Sequence, residues 1–121
     1  MTALRLLVID PNNSFCRSVQ QYLLHRKGIG IVETASDLQQ ALEKAAWLKP
    51  DYILVDCKLL RVERSFFAGI KKLKLSLPAV QVVILTLFED KITRHFPGGE
   101  DLISGVIAKE NFAEKAGEII G

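Results

Sequence analysis

The segment Leu-Leu-Val-Ile-Asp at residues 6–10 is a short apolar run that ends in a carboxylate. Three later apolar runs also end in a polar residue: Asp-Tyr-Ile-Leu-Val-Asp at 51–56, Val-Val-Ile-Leu-Thr at 82–86 and Gly-Val-Ile-Ala-Lys at 105–109. Continuous apolar runs of this length, rich in β-branched residues, are typical of strands that are buried on both faces. The four runs therefore predict strands of a parallel sheet, each ending in a polar residue.

Helical patterns separate these runs, and a further short strand is expected at residues 29–34. We predict helices over 14–27, from a cap at Ser36 to Leu48, over 65–75, and over 112–120 with Asn111 as its cap. The stretch between residue 56 and residue 65 is expected to be irregular. Two helical turns are expected at 89–96, ended by Pro97-Gly98-Gly99. This alternation of strands and helices predicts an α/β fold with a doubly wound parallel sheet.

Some helix residues are assigned to the core by their spacing. In the second helix, Leu38, Leu42 and Ala45 are expected to form the buried stripe, and Trp47 is expected to be partly buried. Phe66 and Phe67 are adjacent in the third helix, so one of them must face away from the core.

The overall composition fits one soluble globular domain over residues 1–121. The chain has 49% hydrophobic and 25% charged residues and a net charge of +2. Its basic residues form no long stripe, so we expect no nucleic-acid binding by this domain. Neither a membrane-spanning run nor a secretory cleavage site is found, which predicts a cytoplasmic protein without a membrane partner. Cys16 and Cys57 form no metal pattern and are expected to be reduced thiols, with Cys57 in a packing role.

Four polar residues stand at the ends of the predicted strands: Asp10, Asp56, Thr86 and Lys109. The carboxyl ends of parallel strands meet at one edge of a sheet, so these side chains are expected to converge. A carboxylate beside an ammonium and a hydroxyl can attack a phosphoryl group, because the ammonium offsets charge and the hydroxyl donates to a phosphoryl oxygen. A second carboxylate would help to hold a divalent cation such as Mg²⁺.

With these strand ends in this order, the chain resembles the receiver domain of bacterial two-component response regulators over essentially its whole length. The resemblance implies a flavodoxin-like (βα)5 fold with strand order 2-1-3-4-5, and a domain that is not an enzyme. It implies that Asp56 accepts a phosphoryl group from a histidine kinase or phosphotransfer protein, that Thr86 is the switch hydroxyl and that Lys109 contacts the phosphate. It further implies a Mg²⁺ site formed by Asp10, Asp56 and the backbone carbonyl of Lys58.

Two departures from the family pattern concern the expected metal site. Pro11 stands where the family has a second acid, the more direct metal ligand, so Mg²⁺ binding is expected to be weak. Asn12 or Asn13 could partly substitute through an amide oxygen. We also hypothesise that the ammonium of Lys58 partly replaces the cation, leaving a pocket that is stable without metal and slow to accept phosphate; the alternative is that Lys58 points to solvent.

Further departures concern output. Receivers often form homodimers through the fourth helix, fifth strand and fifth helix. Here Val106 replaces an aromatic residue on that face, Glu110 replaces a proline, and Pro97-Gly98-Gly99 breaks the fourth helix. Coupling between Thr86 and an aromatic side chain therefore cannot take its usual form.

Three functions remain open. The first is a receiver that is phosphorylated on Asp56 and switches protein interactions as a result. The second is a pseudo-receiver, a protein-interaction module that works without phosphorylation. The third is a small flavodoxin-like enzyme or cofactor-binding protein, which is disfavoured because residues 10–14 contain no glycine to cradle a phosphate.

Overall fold

The fold is seen in a computed structural model that describes residues 3–62, 64–87 and 102–120. The strands are β1 (Leu4–Ile9), β2 (Ile29–Ala35), β3 (Tyr52–Asp56), β4 (Gln81–Thr86) and β5 (Ile103–Ala108). The helices are α1 (Asn13–Leu24), α2 (Leu38–Leu48), α3 (Cys57–Val62), α4 (Arg64–Ser76) and α5 (Phe112–Ile119), with a 3-10 turn at Lys109–Asn111. The helical turns expected at 89–96 and their break at Pro97 lie outside the described residues.

These strands form one parallel sheet in the order β2-β1-β3-β4-β5. The predicted α/β fold, a (βα)5 flavodoxin-like sheet with order 2-1-3-4-5, is therefore confirmed. Successive residues of a strand point to opposite faces of a sheet. Leu7 accordingly packs in one apolar layer with Phe66 of α4, while Leu6 packs in the other with Val19 of α1 and Ala116 of α5. Because apolar layers cover both faces of the sheet, the polar groups of the strands are expected to be accessible at the strand ends.

The stretch after β3 is helical, and the prediction of an irregular segment there was wrong. Helix α3 begins at Cys57, directly after the last residue of β3. The segment contains neither glycine nor proline, and Cys57 and Leu60, three residues apart on one helix face, are both buried against the sheet. Burial of that face stabilises a helix where the sequence suggested a loop.

Helix α2 begins one residue later than predicted. Its N-cap is Asp37, whose carboxylate accepts the N–H of Gln40, and not Ser36. The backbone N–H and hydroxyl of Ser36 instead donate to the side-chain oxygen of Gln40. These bonds hold the residue before the N-cap against the first turn of the helix.

The buried stripe of α2 also differs from the prediction. It consists of Ala41, Ala45 and Leu48, whereas Leu42 is 37% exposed and Trp47 is 60% exposed. The smaller alanines allow α2 to approach the sheet closely, and the two larger side chains are turned away from it. The predicted burial of Leu42 and Trp47 was therefore wrong.

At α4 and α5 the predictions had mixed success. Phe66 is fully buried, and Phe67 is half-buried against the same apolar layer, so the prediction that one of the two rings faces away from the core was wrong. Asn111 is the N-cap residue of α5, as predicted, but its side chain makes no capping hydrogen bond. The 3-10 turn at Lys109–Asn111 leads into the helix instead.

No helix within the described ranges combines the length and hydrophobicity needed to cross a membrane.

Candidate functional site

The four polar strand ends meet at one edge of the sheet. Asp10 follows β1, Asp56 ends β3, Thr86 ends β4 and Lys109 follows β5. The Lys109 ammonium lies 2.7 Å from Oδ2 of Asp10 and 3.0 Å from Oδ1 of Asp56. A single cation thus bridges two carboxylates, as parallel strands allow when their carboxyl ends carry the charges.

Burial makes this bridge energetically important. Asp10 and Asp56 are both buried, and the side chain of Lys109 is 15% exposed. Carboxylates removed from water require a countercharge, because an unpaired buried charge loses its hydration without compensation. Burial alone would lower the pKa of Lys109, but hydrogen bonding to and the charges of Asp10 and Asp56 together outweigh it and raise that pKa. Lys109 is therefore a permanent cation at neutral pH.

Two oxygens beside the bridge accept backbone hydrogen bonds, and a third, Oδ2 of Asp10, has only its ion pair in the part of the chain that the structure describes. Oδ1 of Asp10 accepts the N–H of Asn12 at 2.9 Å. Oδ2 of Asp10 has the ion pair with Lys109 but, despite the short distance, no contact of good hydrogen-bond geometry among the described residues. The side-chain oxygen of Asn12 accepts the N–H of Phe15 at 3.0 Å, so it serves as the N-cap of α1. Asn12 is therefore occupied as a cap and Asn13 is the exposed first residue of the helix.

Phe15 is a site residue that the sequence analysis did not identify. The Lys109 ammonium lies 4.9 Å from the centroid of its ring, within the range of a cation–π interaction. The ring is held in turn by Phe112, edge to face at a centroid distance of 6.2 Å. Its place in the first turn after Asp10, on the side facing the sheet edge, is the signal that could have identified it.

Thr86 lies beside Asp56 across the sheet edge and is buried. The thiol of Cys57 approaches its hydroxyl oxygen at 3.9 Å. Burial raises the pKa of the Cys57 thiol, and burial together with the charge of Asp10 raises the pKa of Cys16 to about 11. Both thiols are thus protonated and packed at neutral pH.

Neither cysteine is therefore expected to react in the folded protein. The thiolate is the reactive form, and both a raised pKa and burial reduce its availability. At pH 8 we expect Ellman's reagent to label native Cys16 and Cys57 at least about 100-fold more slowly than in guanidinium chloride. Rapid release of one equivalent of thionitrobenzoate from the native protein would contradict this prediction and would identify an accessible thiol beside the site.

Above the bridge is an open cavity. Its lining includes Lys58, Arg61 and Glu110, all exposed, around the buried pair Asp56 and Lys109. The Lys58 side chain makes no ion pair within the described part of the chain, so the cation between the carboxylates is Lys109 and not Lys58. The backbone of Lys58 lies in the first turn of α3, where a helical carbonyl accepts the N–H four residues later.

The residues at this edge do not fit the Mg²⁺ site that the resemblance implies. Mg²⁺ requires several oxygen ligands in near-octahedral geometry. Asp10 and Asp56 share the Lys109 ammonium, Pro11 offers no carboxylate, and the Lys58 carbonyl lies in a helix. Among the residues that the structure describes, no group of three or more His, Cys, Asp or Glu side chains could hold a metal ion.

Comparison with known sequences places these features in a family. The family model of the response regulator receiver domain matches residues 6–115. The response regulator protein VraR of Staphylococcus epidermidis is 33% identical over 101 residues, which are 82% of this chain and 47% of that protein. The transcriptional regulatory protein LnrK of Bacillus subtilis is 30% identical over 87 residues, 72% of this chain and 39% of that protein. The chain thus spans less than half the length of these two relatives.

Solved structures agree in fold. A response regulator protein from Burkholderia pseudomallei with a phosphorylated aspartic acid, a calcium ion and citrate has a TM-score of 0.77 at 24% identity, covering 98% of this chain and 66% of that one. The chemotaxis response regulator CheY4 of Vibrio cholerae has a TM-score of 0.75 at 21% identity, covering 98% of this chain and 100% of that one. With the family match over residues 6–115, the chain belongs to the response regulator receiver domains of two-component systems.

Proposed function

We propose that residues 1–121 act as one receiver domain in which Asp56 accepts a phosphoryl group from a histidine kinase or phosphotransfer protein, and that this changes the domain's protein interactions. The observation that carries the proposal is the 3.0 Å contact between Asp56 and the Lys109 ammonium at the floor of an open cavity. Receiver domains generally interact with histidine kinases, and the family match extends over both residues. No catalytic activity toward a substrate of its own is proposed for the domain.

The proposed transfer uses side chains of this chain alone. A carboxylate oxygen of Asp56 attacks the phosphorus of a phosphohistidine, an O–P bond forms and the N–P bond breaks. The imidazole leaves with the electron pair of that bond. The Lys109 ammonium offsets charge on the transferred group, and the Thr86 hydroxyl donates a hydrogen bond to one of its oxygens. The product is an acyl phosphate on Asp56.

A pseudo-receiver is the second candidate, and a specific observation favours it. Lys109 is shared between Asp56 and Asp10, and α3 begins directly after the proposed acceptor residue. A pocket that neutralises its own carboxylates can keep its fold without ever accepting phosphate. In this function the domain binds a protein partner whether or not it is phosphorylated. Homodimers through a face that includes β5 and α5 are compatible with both candidate functions.

Intact-mass spectrometry after incubation with acetyl phosphate tests the two candidates. The wild type is expected to gain one phosphoryl group, and Asp56→Asn is expected to gain none, because an amide is not a nucleophile at this position. The matched control is Asp51→Asn: Asp51 precedes β3, half-buried and paired with Arg5 at the other end of the strand. Each protein is incubated with Mg²⁺ and with a chelator.

Phosphorylation of the wild type and of Asp51→Asn, with none on Asp56→Asn, supports the first candidate. A wild type that gains no phosphoryl group in either condition, although it is folded, refutes phosphorylation of this pocket and leaves the pseudo-receiver. Equal phosphorylation of Asp56→Asn would place the acceptor at another residue and refute the proposed role of Asp56.

A further inference from the structure

We propose that the pocket needs no divalent metal because the Lys109 ammonium is its resident cation, positioned by the ring of Phe15. The sequence suggested Lys58 for such a role, but Lys58 is exposed and Lys109 is the residue that bridges the carboxylates. The proposal concerns the resting pocket. It holds whether or not Asp56 is a phosphoryl acceptor.

The first support is the use of the oxygens around the bridge. Of the Asp10 oxygens, one accepts the Asn12 N–H and the other contacts Lys109 at 2.7 Å. An oxygen of Asp56 contacts the same ammonium at 3.0 Å. The amide oxygen of Asn12 caps α1. A metal ion bound between the two carboxylates would have to displace an ammonium that already contacts both.

Charge gives the second support. Asp10 and Asp56 with Lys109 carry one net negative charge at the floor of the cavity. At the rim, Lys58 and Arg61 outnumber Glu110 by one charge, so the titratable lining has no net charge. A dication entering this cavity gains little overall attraction, and it would lie near an ammonium in a partly buried site where screening is weak.

The aromatic ring gives the third support. The face of Phe15 lies over the Lys109 ammonium at 4.9 Å, and Phe112 holds that ring edge to face. A ring face attracts a weakly hydrated cation but offers no oxygen ligand. Mg²⁺, which prefers oxygen ligands, meets an apolar ring on this side of the pocket. Phe15 therefore favours an ammonium over a metal ion and acts as a positioning residue.

Isothermal titration calorimetry and thermal unfolding with Mg²⁺ as the probe test the proposal. The wild type is expected to show no saturable binding and no change in Tm with millimolar Mg²⁺. Lys109→Met leaves two carboxylates without a cation, and its Tm is expected to rise by several degrees when Mg²⁺ is added, since a ligand that binds the folded state raises its stability. Pro11→Asp, at an exposed position, adds an acid without disturbing the core and is expected to gain saturable binding.

Phe15 is tested against a matched ring. Phe67 has a similar contact, with the Lys71 ammonium 5.4 Å from its centroid, but it is a half-buried residue of α4 that does not line the cavity. Phe15→Leu is expected to acquire part of the Mg²⁺ dependence of Lys109→Met, and Phe67→Leu is expected to acquire none. If Phe15→Leu stays insensitive to Mg²⁺, the positioning role of Phe15 is refuted.

Saturable Mg²⁺ binding by the wild type overturns the proposal, and so does phosphorylation that occurs with Mg²⁺ and is lost with a chelator. If Lys109→Met does not fold, the wild type still decides: titration without saturable Mg²⁺ binding supports the proposal, and saturable binding refutes it. A wild type that neither binds Mg²⁺ nor gains phosphate supports this proposal while refuting phosphorylation of Asp56.

Discussion

Replacing Lys109 with methionine is expected to lower the free energy of unfolding by about 3–5 kcal/mol, the usual cost of breaking a buried ion pair from one side. Methionine retains most of the apolar stem, so the loss arises from the ammonium. Asp10 and Asp56 would remain buried without the cation that contacts both of them. Urea unfolding monitored by circular dichroism, with Mg²⁺ removed by a chelator, measures the change.

A second lysine in the same part of the chain provides the control. Lys115 pairs with Glu118 at 3.8 Å, but their side chains are 38% and 68% exposed. Lys115→Met is expected to cost less than about 1 kcal/mol, because exposed ion pairs contribute little. The double variant Asp10→Asn with Lys109→Met is expected to recover part of the loss by removing one uncompensated charge. Equal losses for the two lysine variants would contradict the importance of the buried bridge.

Replacing Phe66 with alanine is expected to cost about 3–5 kcal/mol as well, because truncating a buried ring loses apolar burial and leaves a cavity. Phe66 is fully buried in the apolar layer between the sheet and α2 and α4. Phe67, its neighbour in sequence, is half-buried and lies under the Lys71 ammonium. Phe67→Ala is therefore expected to cost about 1 kcal/mol.

The comparison is made by thermal and urea unfolding of both variants. If Phe67→Ala costs as much as Phe66→Ala, the difference in burial between the two rings does not determine the loss of stability.

The strands were predictable because their signal is strong and local. The apolar run that ends at Asp10 corresponds to β1, which spans Leu4–Ile9. The polar residues at the ends of β3 and β4 could be located to within one residue. Parallel pairing then brings those ends together without any information on side chains. Convergence of Asp10, Asp56 and Lys109 follows from topology alone.

The details inside the site depend on packing, which sequence patterns do not contain. Two lysines were available near Asp56, and whether Lys58 or Lys109 contacts it depends on the direction in which each backbone leaves its strand. Lys58 falls on a helix that starts at Cys57, and that helix forms because Leu60 is buried. Trp47 was misassigned because hydrophobicity favours burial, whereas smaller residues of α2 occupy the contact.

Two of the residues that depart from the family pattern, Val106 and Glu110, lie in and directly after β5. Val106 is half-buried in β5 and packs toward the apolar layer that contains Phe66, while Glu110 is exposed in the 3-10 turn after Lys109. Neither residue supplies an aromatic ring near Thr86. The ring that contacts the charged bridge belongs to Phe15, on the opposite apolar layer with α1 and α5.

Asp56 closes β3 and Cys57 opens α3, so the backbone passes from strand to helix with no slack between them. With a rise of about 1.5 Å per residue, the six residues of α3 form a rigid arm about 9 Å long. A tilt of about 10° at its base would move its far end by about 1.5 Å. Because Arg61 is exposed near that end, a rotation of α3 about Asp56 would displace a positive charge at the protein surface.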